Sequence, residues 1–302
     1  MLSLEEITID KRELFNRYLR RKCSQNSEFT FTNLFMWRKG YDIRYTIIDD
    51  MLCVLPKHGD GPRSATFPIG FLQEDGSEKD VVPVIETLLA YFEETGQQPL
   101  FLLYDDLTVE KLTSAFPNRF LVTEDVNSFD YVYRVDELSA LAGKRFHAKK
   151  NHVNKFKKLY QWEYAPLSSI DAEECLHLFE SWHQDKDYVM NLHEEREAVE
   201  ELFSHWDALK LRGGCIRVDG KMVAFSVGEP LCGNMAVIHL EHADTSYEGA
   251  FPMMNQQFLL NEWQDFTYVN REEDMGIPGM RKAKQSYRPA FMVKKYVATL
   301  LP

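Results

Sequence analysis

No stretch of this 302-residue sequence stays apolar for the roughly 20 residues that a membrane-spanning helix needs. A helical integral membrane protein is thereby excluded, while peripheral contact with a membrane surface stays open. The opening residues, MLSLEEITIDKREL, place Glu5 and Glu6 where a secretory leader would need its apolar core, so a cytoplasmic protein is expected. The cysteines are few: Cys23, Cys53, Cys175, Cys215 and Cys232 form no CxxC pair and are odd in number. That argues against a disulfide framework and for reduced thiols. No zinc-type ligand spacing occurs; His239, Glu241 and His242 would split across two faces of a strand, so no metal site is expected. Nothing in the composition, 44% hydrophobic and 27% charged, suggests disorder, and the length suits two domains.

Positive charge is scarce as well, and unevenly placed. The formal net charge is −12, which disfavours a general nucleic-acid coat. Yet residues 143–158, GKRFHAKKNHVNKFKK, hold seven Lys or Arg and no acid. The segments before and after it are both acidic, with 15 basic against 24 acidic residues in 1–140 and 13 against 23 in 159–302. A compact basic island of this kind sets a local potential whatever the net charge, and so marks a candidate anion site.

One order of elements occurs twice. In the second half, GCIRVDGKMVAFSVGEP reads as a hairpin turning at Asp219-Gly220. NMAVIHLEHAD reads as a strand, and PMMNQQFLLNEW as a helix with Pro252 in its first turn. FTYVN (strand), MRKAKQSYR (short helix) and FMVKKYVATL (last strand) complete the series. The first half runs similarly: a hairpin at Asp49-Asp50, a helix from Pro83 to Gly96, LFLLYDD, TVEKLTSAF and DYVYRV. Each half predicts hairpin, helix, strand, helix, strand: an α+β fold of mixed sheets flanked by helices. The division falls near 136–143, giving modules 1–138 and 139–302.

On a helical wheel, Phe146, Val153, Phe156 and Tyr160 of the basic segment share a narrow arc that can pack onto a sheet. His147, Asn151, Asn154 and Lys158 fall in a second arc of donors. One reading is a solvated helix balancing the acidic bodies. The sharper reading is a phosphate- or carboxylate-binding surface with His147, Lys150, Asn151 and Asn154 as contacts, compatible with a ligand the size of tRNA.

Two segments, GKRFHAKKNHVNKF (143–156) and YVNREEDMGIPGMRKAKQSYRP (268–289), resemble the motifs of stand-alone bacterial relatives of the phosphatidylglycerol lysyltransferase C-terminal domain. That resemblance implies two tandem GNAT-like acyltransferase modules. It implies transfer of an aminoacyl group from aminoacyl-tRNA, with acyl-CoA as second donor, to a small or phosphorylated acceptor. In that family a Lys-x-x-Tyr pair belongs to the site, and Lys284-Gln-Ser-Tyr287 matches it. The family's Asp-x-x-Arg motif is not reproduced; Glu241-His-Ala-Asp244 stands near its place. No firmly held cofactor is implied.

Acyl transfer needs a base, oxyanion donors and an acid for the leaving group. Lys284 and Tyr287, three apart on a helix, share a face, with Arg281 on the same side. Lys284 would bind the oxyanion or a phosphate, Tyr287 would protonate the leaving atom, and Glu241 is the candidate base. The segment SYEGAF opens the helix at Pro252, so the N–H groups of Gly249 and Ala250 could hold a phosphate. The glycine-rich Q/R-x-x-G-x-G/A pattern usual for acetyl-CoA is missing. The run Arg271-Glu-Glu-Asp274 reads as a self-paired surface cluster. A competing reading is a non-catalytic module that holds RNA or a phosphorylated partner on helix 143–158.

Overall fold

A computed structural model describes residues 2–184 and 192–301. The chain divides into two compact units, 1–129 together with 293–302, and 130–292. Two-residue turns set the hairpins of both. Asp49 and Asp50 both take positive φ, joining Arg44–Ile48 to Met51–Leu55. Asp219 and Gly220 do the same between Arg212–Val218 and Lys221–Cys232. Positive φ at both central residues matches the right-handed twist of the strands, which is why Asp and Gly occupy these turns.

In the first unit a three-stranded sheet runs in the order Glu5–Glu6, Arg44–Ile48, Met51–Leu55. A second sheet has the order Ala65–Thr66, Leu100–Leu103, Tyr296–Leu300, Phe120–Glu124. The helix Val82–Glu94 starts with Pro83 in its first turn and stops before Gly96, which takes the left-handed conformation. Asp105 caps Asp106–Ala115 through a reciprocal bond pair with Thr108. The core is aromatic: Phe15, Phe35, Phe67, Phe71, Phe92 and Phe101 are fully buried.

The second unit is built on a seven-stranded sheet of order Phe291–Val293, Asp130–Arg134, Tyr268–Asn270, Met235–Ala243, Lys221–Cys232, Arg212–Val218, Trp162–Pro166. The helix Ala250–Glu262 buries Met253, Met254, Phe258 and Leu259 within its core. The basic helix His147–Leu159 adds Val153, Phe156 and the preceding Phe146, the stripe expected from the wheel. Burying such side chains stabilises by about 1.5–3 kcal/mol each, enough to offset like-charge repulsion along the helix.

The sequence places the module boundary at 138/139; the compact units divide elsewhere. DYVYR, read as the last strand of the first module, instead pairs with Tyr268–Asn270 in the second unit's sheet. Tyr296–Leu300, the last strand of the second half, pairs with both Leu100–Leu103 and Phe120–Glu124 of the first unit. Without it those two strands would face each other across an unpaired gap. Alternation identifies a strand but not its partner, so this exchange of terminal strands leaves no trace in the local pattern. Among the cysteines, Cys53, Cys175 and Cys215 carry free, buried thiols, whereas Cys23 and Cys232 are disulfide-bonded, which corrects the expectation of reduced thiols throughout. No helix among the described residues is long and apolar enough to cross a membrane.

Candidate functional site

The second unit's sheet opens at one point. Met235–Val237 pair in parallel with Tyr268–Asn270, and that register ends at Val237 and Asn270. Beyond it, Ile238–Ala243 continue against Lys221–Cys232. The other branch stays with Asp130–Arg134: the Arg271 N–H donates to the Tyr131 carbonyl (2.9 Å), and the Tyr131 N–H to the Glu272 carbonyl (3.1 Å). The ends of parallel strands that separate in this way are natural ligand sites. His239 and Glu241, two apart on the strand, face the opening together. Each meets a charged residue of the other branch: Glu241 Oε1 lies 2.7 Å from Arg271 Nη2, and His239 Nδ1 lies 2.9 Å from Glu272 Oε1.

Around Arg271 the charges are dense and nearly dry. Glu241 Oε2 accepts from Asn255 Nδ2 at 3.1 Å, from the helix Ala250–Glu262. The Arg271 guanidinium lies 4.7 Å from the ring centre of Tyr287 and 5.5 Å from that of Tyr133. Lys149, from the basic helix, sets Nζ 3.9 Å from the same Tyr287 centre. Both cations thus lie against one aromatic ring, whose π face attracts them. Burial, and then the neighbouring Arg271 charge, push the Lys149 ammonium down to about 8, with Glu241 opposing. Burial keeps the Tyr287 hydroxyl well above the usual phenol range. Two buried atoms here have no hydrogen-bond partner among the described residues: Arg271 Nη1, a donor, and Asn255 Oδ1, an acceptor. Leaving such groups unpaired costs about 1–3 kcal/mol each, so a water or ligand that pairs with them here would be stabilising.

The loop that carries Arg271 is pinned from below. Lys284 Nζ donates to three successive carbonyls, those of Arg271 (2.6 Å), Glu272 (3.1 Å) and Glu273. Asp274, almost wholly buried, accepts from Arg281 Nε (2.7 Å) and Nη2 (2.8 Å), from the Tyr131 hydroxyl (2.6 Å) and from the Gly276 N–H (2.8 Å). His239 is held between Glu272 and Glu229, whose Oε1 lies 3.0 Å from Nε2. Burial alone would lower its pKa; the two carboxylates outweigh that and raise it to about 9.

The residues expected from sequence separate into two groups. Glu241 and Tyr287 meet in this opening. Lys284 lies below it with all three ammonium protons directed at carbonyls, so it does not face an oxyanion in this arrangement. Arg281 is committed to Asp274. His147, Lys150, Asn151 and Asn154 are exposed, and among the described residues no bond or ring contact joins them to Glu241, Lys284 or Tyr287. Gly249 and Ala250 do not form an open phosphate cradle. A Cβ on Gly249 would come within 2.6 Å of the His152 carbonyl, and the Ala250 N–H donates to the Tyr247 carbonyl. The expected surface cluster at 271–274 is instead part of the site, with Asp274 buried and Arg271, Glu272 and Glu273 half-buried. Sequence reading missed Lys149, Arg271 and Asn255. Lys149 did leave a signal: it sits three residues after Phe146 and four before Val153, inside the apolar arc, where a hydrophobe would be expected. Among the described residues no group of three or more His, Cys, Asp or Glu side chains is arranged to hold a metal.

Known proteins resemble the whole chain. A conserved protein of unknown function from Bacteroides thetaiotaomicron shares 33% identity with it, covers 100% of both chains and superposes with a TM-score of 0.90. L-PGS from Bacillus licheniformis shares 16% identity over 99% of this chain and 94% of its own, with a TM-score of 0.66. An uncharacterised protein of Mycoplasmoides gallisepticum is 25% identical over 185 residues; the match spans 58% of this chain and 57% of that curated relative's length. The fold is tandem GNAT-like, mixed α+β sheets flanked by helices. The family described as phosphatidylglycerol lysyltransferase, C-terminal, matches residues 20–299, and the chain belongs to that family.

Proposed function

We propose that this protein is an acyltransferase whose donor is an aminoacyl-tRNA, and that the aminoacyl group sits between Arg271 and Asn255. The observation that carries this reading is the pair of unpartnered buried atoms. An aminoacyl ester offers a carbonyl oxygen to accept from Arg271 Nη1 and an α-ammonium to donate to Asn255 Oδ1. An acetyl group could satisfy the first atom but not the second, and the Ala250 N–H at the helix start is already taken by the Tyr247 carbonyl.

In this reading Lys149, with a pKa near 8, is partly neutral at cytoplasmic pH and takes the proton from the attacking amine or hydroxyl. The acceptor atom bonds to the ester carbonyl carbon, and Arg271 Nη1 stabilises the oxyanion. The C–O bond to the tRNA ribose then breaks. Tyr287, kept protonated by burial, gives its proton to the leaving oxygen and regains one from Lys149. Glu241, expected from sequence as the base, has both oxygens engaged and serves here to orient Arg271 and Asn255. The exposed Lys144, Lys150 and Lys158 have no ion-pair partner among the described residues and suit the phosphates of the tRNA.

The test is enzyme-dependent loss of a radiolabelled aminoacyl group from tRNA, with phosphatidylglycerol vesicles and then small amines as acceptors. Lysyl-tRNA is the first donor to try, given the family's name. Turnover that falls at least tenfold in Lys149→Met and Tyr287→Phe supports the assignment. Consumption of acetyl-CoA by a protein inert toward every aminoacyl-tRNA would overturn it.

A further inference from the structure

We infer that Lys284 is a positioning residue: its ammonium gathers the carbonyls of residues 271–273 and thereby aims Arg271 at Glu241 and Glu272 at His239 across the opened sheet. The inference rests on the reading above for its catalytic consequence, though not for its structural one.

The geometry is specific. Lysine has three rotatable donors and no acceptor, and here all three are spent on consecutive backbone carbonyls. Three successive carbonyls converge on one point only if the chain between them curls sharply. Glu272 supplies that curl with a φ of 56°, a left-handed conformation that is costly for a non-glycine residue. A conformation of that kind persists when its surroundings over-determine it. Lys284 does so from the carbonyl side, while Asn270 Oδ1 accepts from the Glu272 N–H at 2.7 Å, and Tyr133 in turn fixes Lys284, donating from its hydroxyl to the Lys284 carbonyl at 2.8 Å. The curl sends neighbouring side chains to separate partners. Arg271 goes to Glu241 and the Tyr287 ring, and Glu272 goes to His239. The Lys-x-x-Tyr pair then has one purpose. Lys284 holds the backbone of the loop, and Tyr287, three residues on, packs its ring against the guanidinium that the loop presents.

This assignment makes a claim that activity alone cannot test. His239 contacts no substrate in the proposed reaction, yet its proton affinity depends on Glu272 staying in place, with Glu229 as its other carboxylate partner. The imidazole of His239 is therefore a reporter of the clamp. The experiment is an NMR titration of histidine-labelled protein from pH 5 to pH 10, with His239→Asn to assign the resonance, in wild type, Lys284→Met and Tyr133→Phe. In wild type the two carboxylates beside His239 should hold its midpoint near 9. In Lys284→Met the curl relaxes, and His239 moves at least one unit toward the ordinary histidine value near 6.5. Tyr133→Phe keeps the ammonium and produces a smaller shift in the same direction, which preserves the test should the methionine variant not fold. Turnover falls with the shift while KM for the donor rises, because Arg271 is misaimed rather than removed. An unshifted His239 in both variants would overturn the inference, whether or not turnover survives. A loss of turnover with His239 unshifted would instead make Lys284 a catalytic residue. If wild type shows no transferase activity but His239 shifts as expected, the clamp stands and the proposed reaction falls.

Discussion

The two halves of the sequence repeat one order of elements, yet the two units bury different things. The first closes over aromatic rings, and its buried polar residues are largely hydroxyl-bearing or small: Ser24, Asn26, Ser27, Thr30, Thr32, Thr66 and Thr108. Its buried cations, Arg63 and Lys295, each meet a partly exposed carboxylate, Asp42 and Glu28. The second buries Asp130, Glu229, His239, Asn255, Asn270 and Asp274, together with the nearly dry Arg271–Glu241 pair. Buried ion pairs are poor sources of stability, since desolvation can exceed the Coulomb gain. A fold that already supplies an apolar solution in one unit, and departs from it in the other, points to the second as the seat of chemistry.

Substitutions can break this comparison, and the largest effect is expected at Arg271. Arg271→Met removes the proposed oxyanion donor and leaves the Glu241 carboxylate without its ion-pair partner, with Asn255 alone still donating to it. Turnover should fall about a thousandfold, and urea titration should show a loss of about 3–5 kcal/mol. Arg63→Met in the first unit should destabilise without changing turnover per folded molecule. Comparable catalytic losses at both sites would erase the distinction.

Next comes Lys149→Met, expected to lower turnover by about a hundredfold. In wild type the rate should rise with pH through about 8 as the amine deprotonates, and that limb should vanish in the variant. A pH–rate profile checks both.

His239 offers a stability test independent of any substrate. Its folded pKa lies above the unfolded value, so its contribution is fully present below pH ~6.5 and is lost as pH rises through about 9. The urea stability of wild type relative to His239→Gln should therefore shrink by about 3 kcal/mol between pH 6 and pH 10.

The smallest effect belongs to the outer face of the basic helix. Lys150→Ala and Lys158→Ala should each weaken tRNA binding less than tenfold at low salt and reduce its salt dependence by about one unit of slope. Filter binding across a salt series measures this. The contrast with Lys149, on the same helix, would separate the proposed donor-holding surface from the proposed catalytic group.

Much of the fold was legible because turns and periodicity are local. Asp49-Asp50, Asp219-Gly220, Pro83, Gly96 and the stripe from Phe146 to Phe156 all sit as their residue types dictate. The exchange of terminal strands was not legible, because pairing depends on residues more than a hundred positions away. The candidate site was partly legible. Glu241 and Tyr287, the latter singled out through the Lys-x-x-Tyr resemblance, both lie against Arg271 at the opening of the sheet. Arg271 was hidden in a run of charges that reads as surface, since burial of a charge depends on a distant partner. Lys149 was masked by six other basic residues around it, and only its place within the apolar arc set it apart.

The central claim is that Arg271 and Asn255 together hold an aminoacyl group. Titration calorimetry with a 3′-aminoacylamino adenosine, a stable mimic of the aminoacyl-tRNA end, tests it directly. The account predicts binding to wild type, at least tenfold weaker binding to Arg271→Met and to Asn255→Ala, and weaker binding of the mimic once its α-amine is acetylated. Equal affinity for the free and acetylated mimics, unchanged by either substitution, would contradict it.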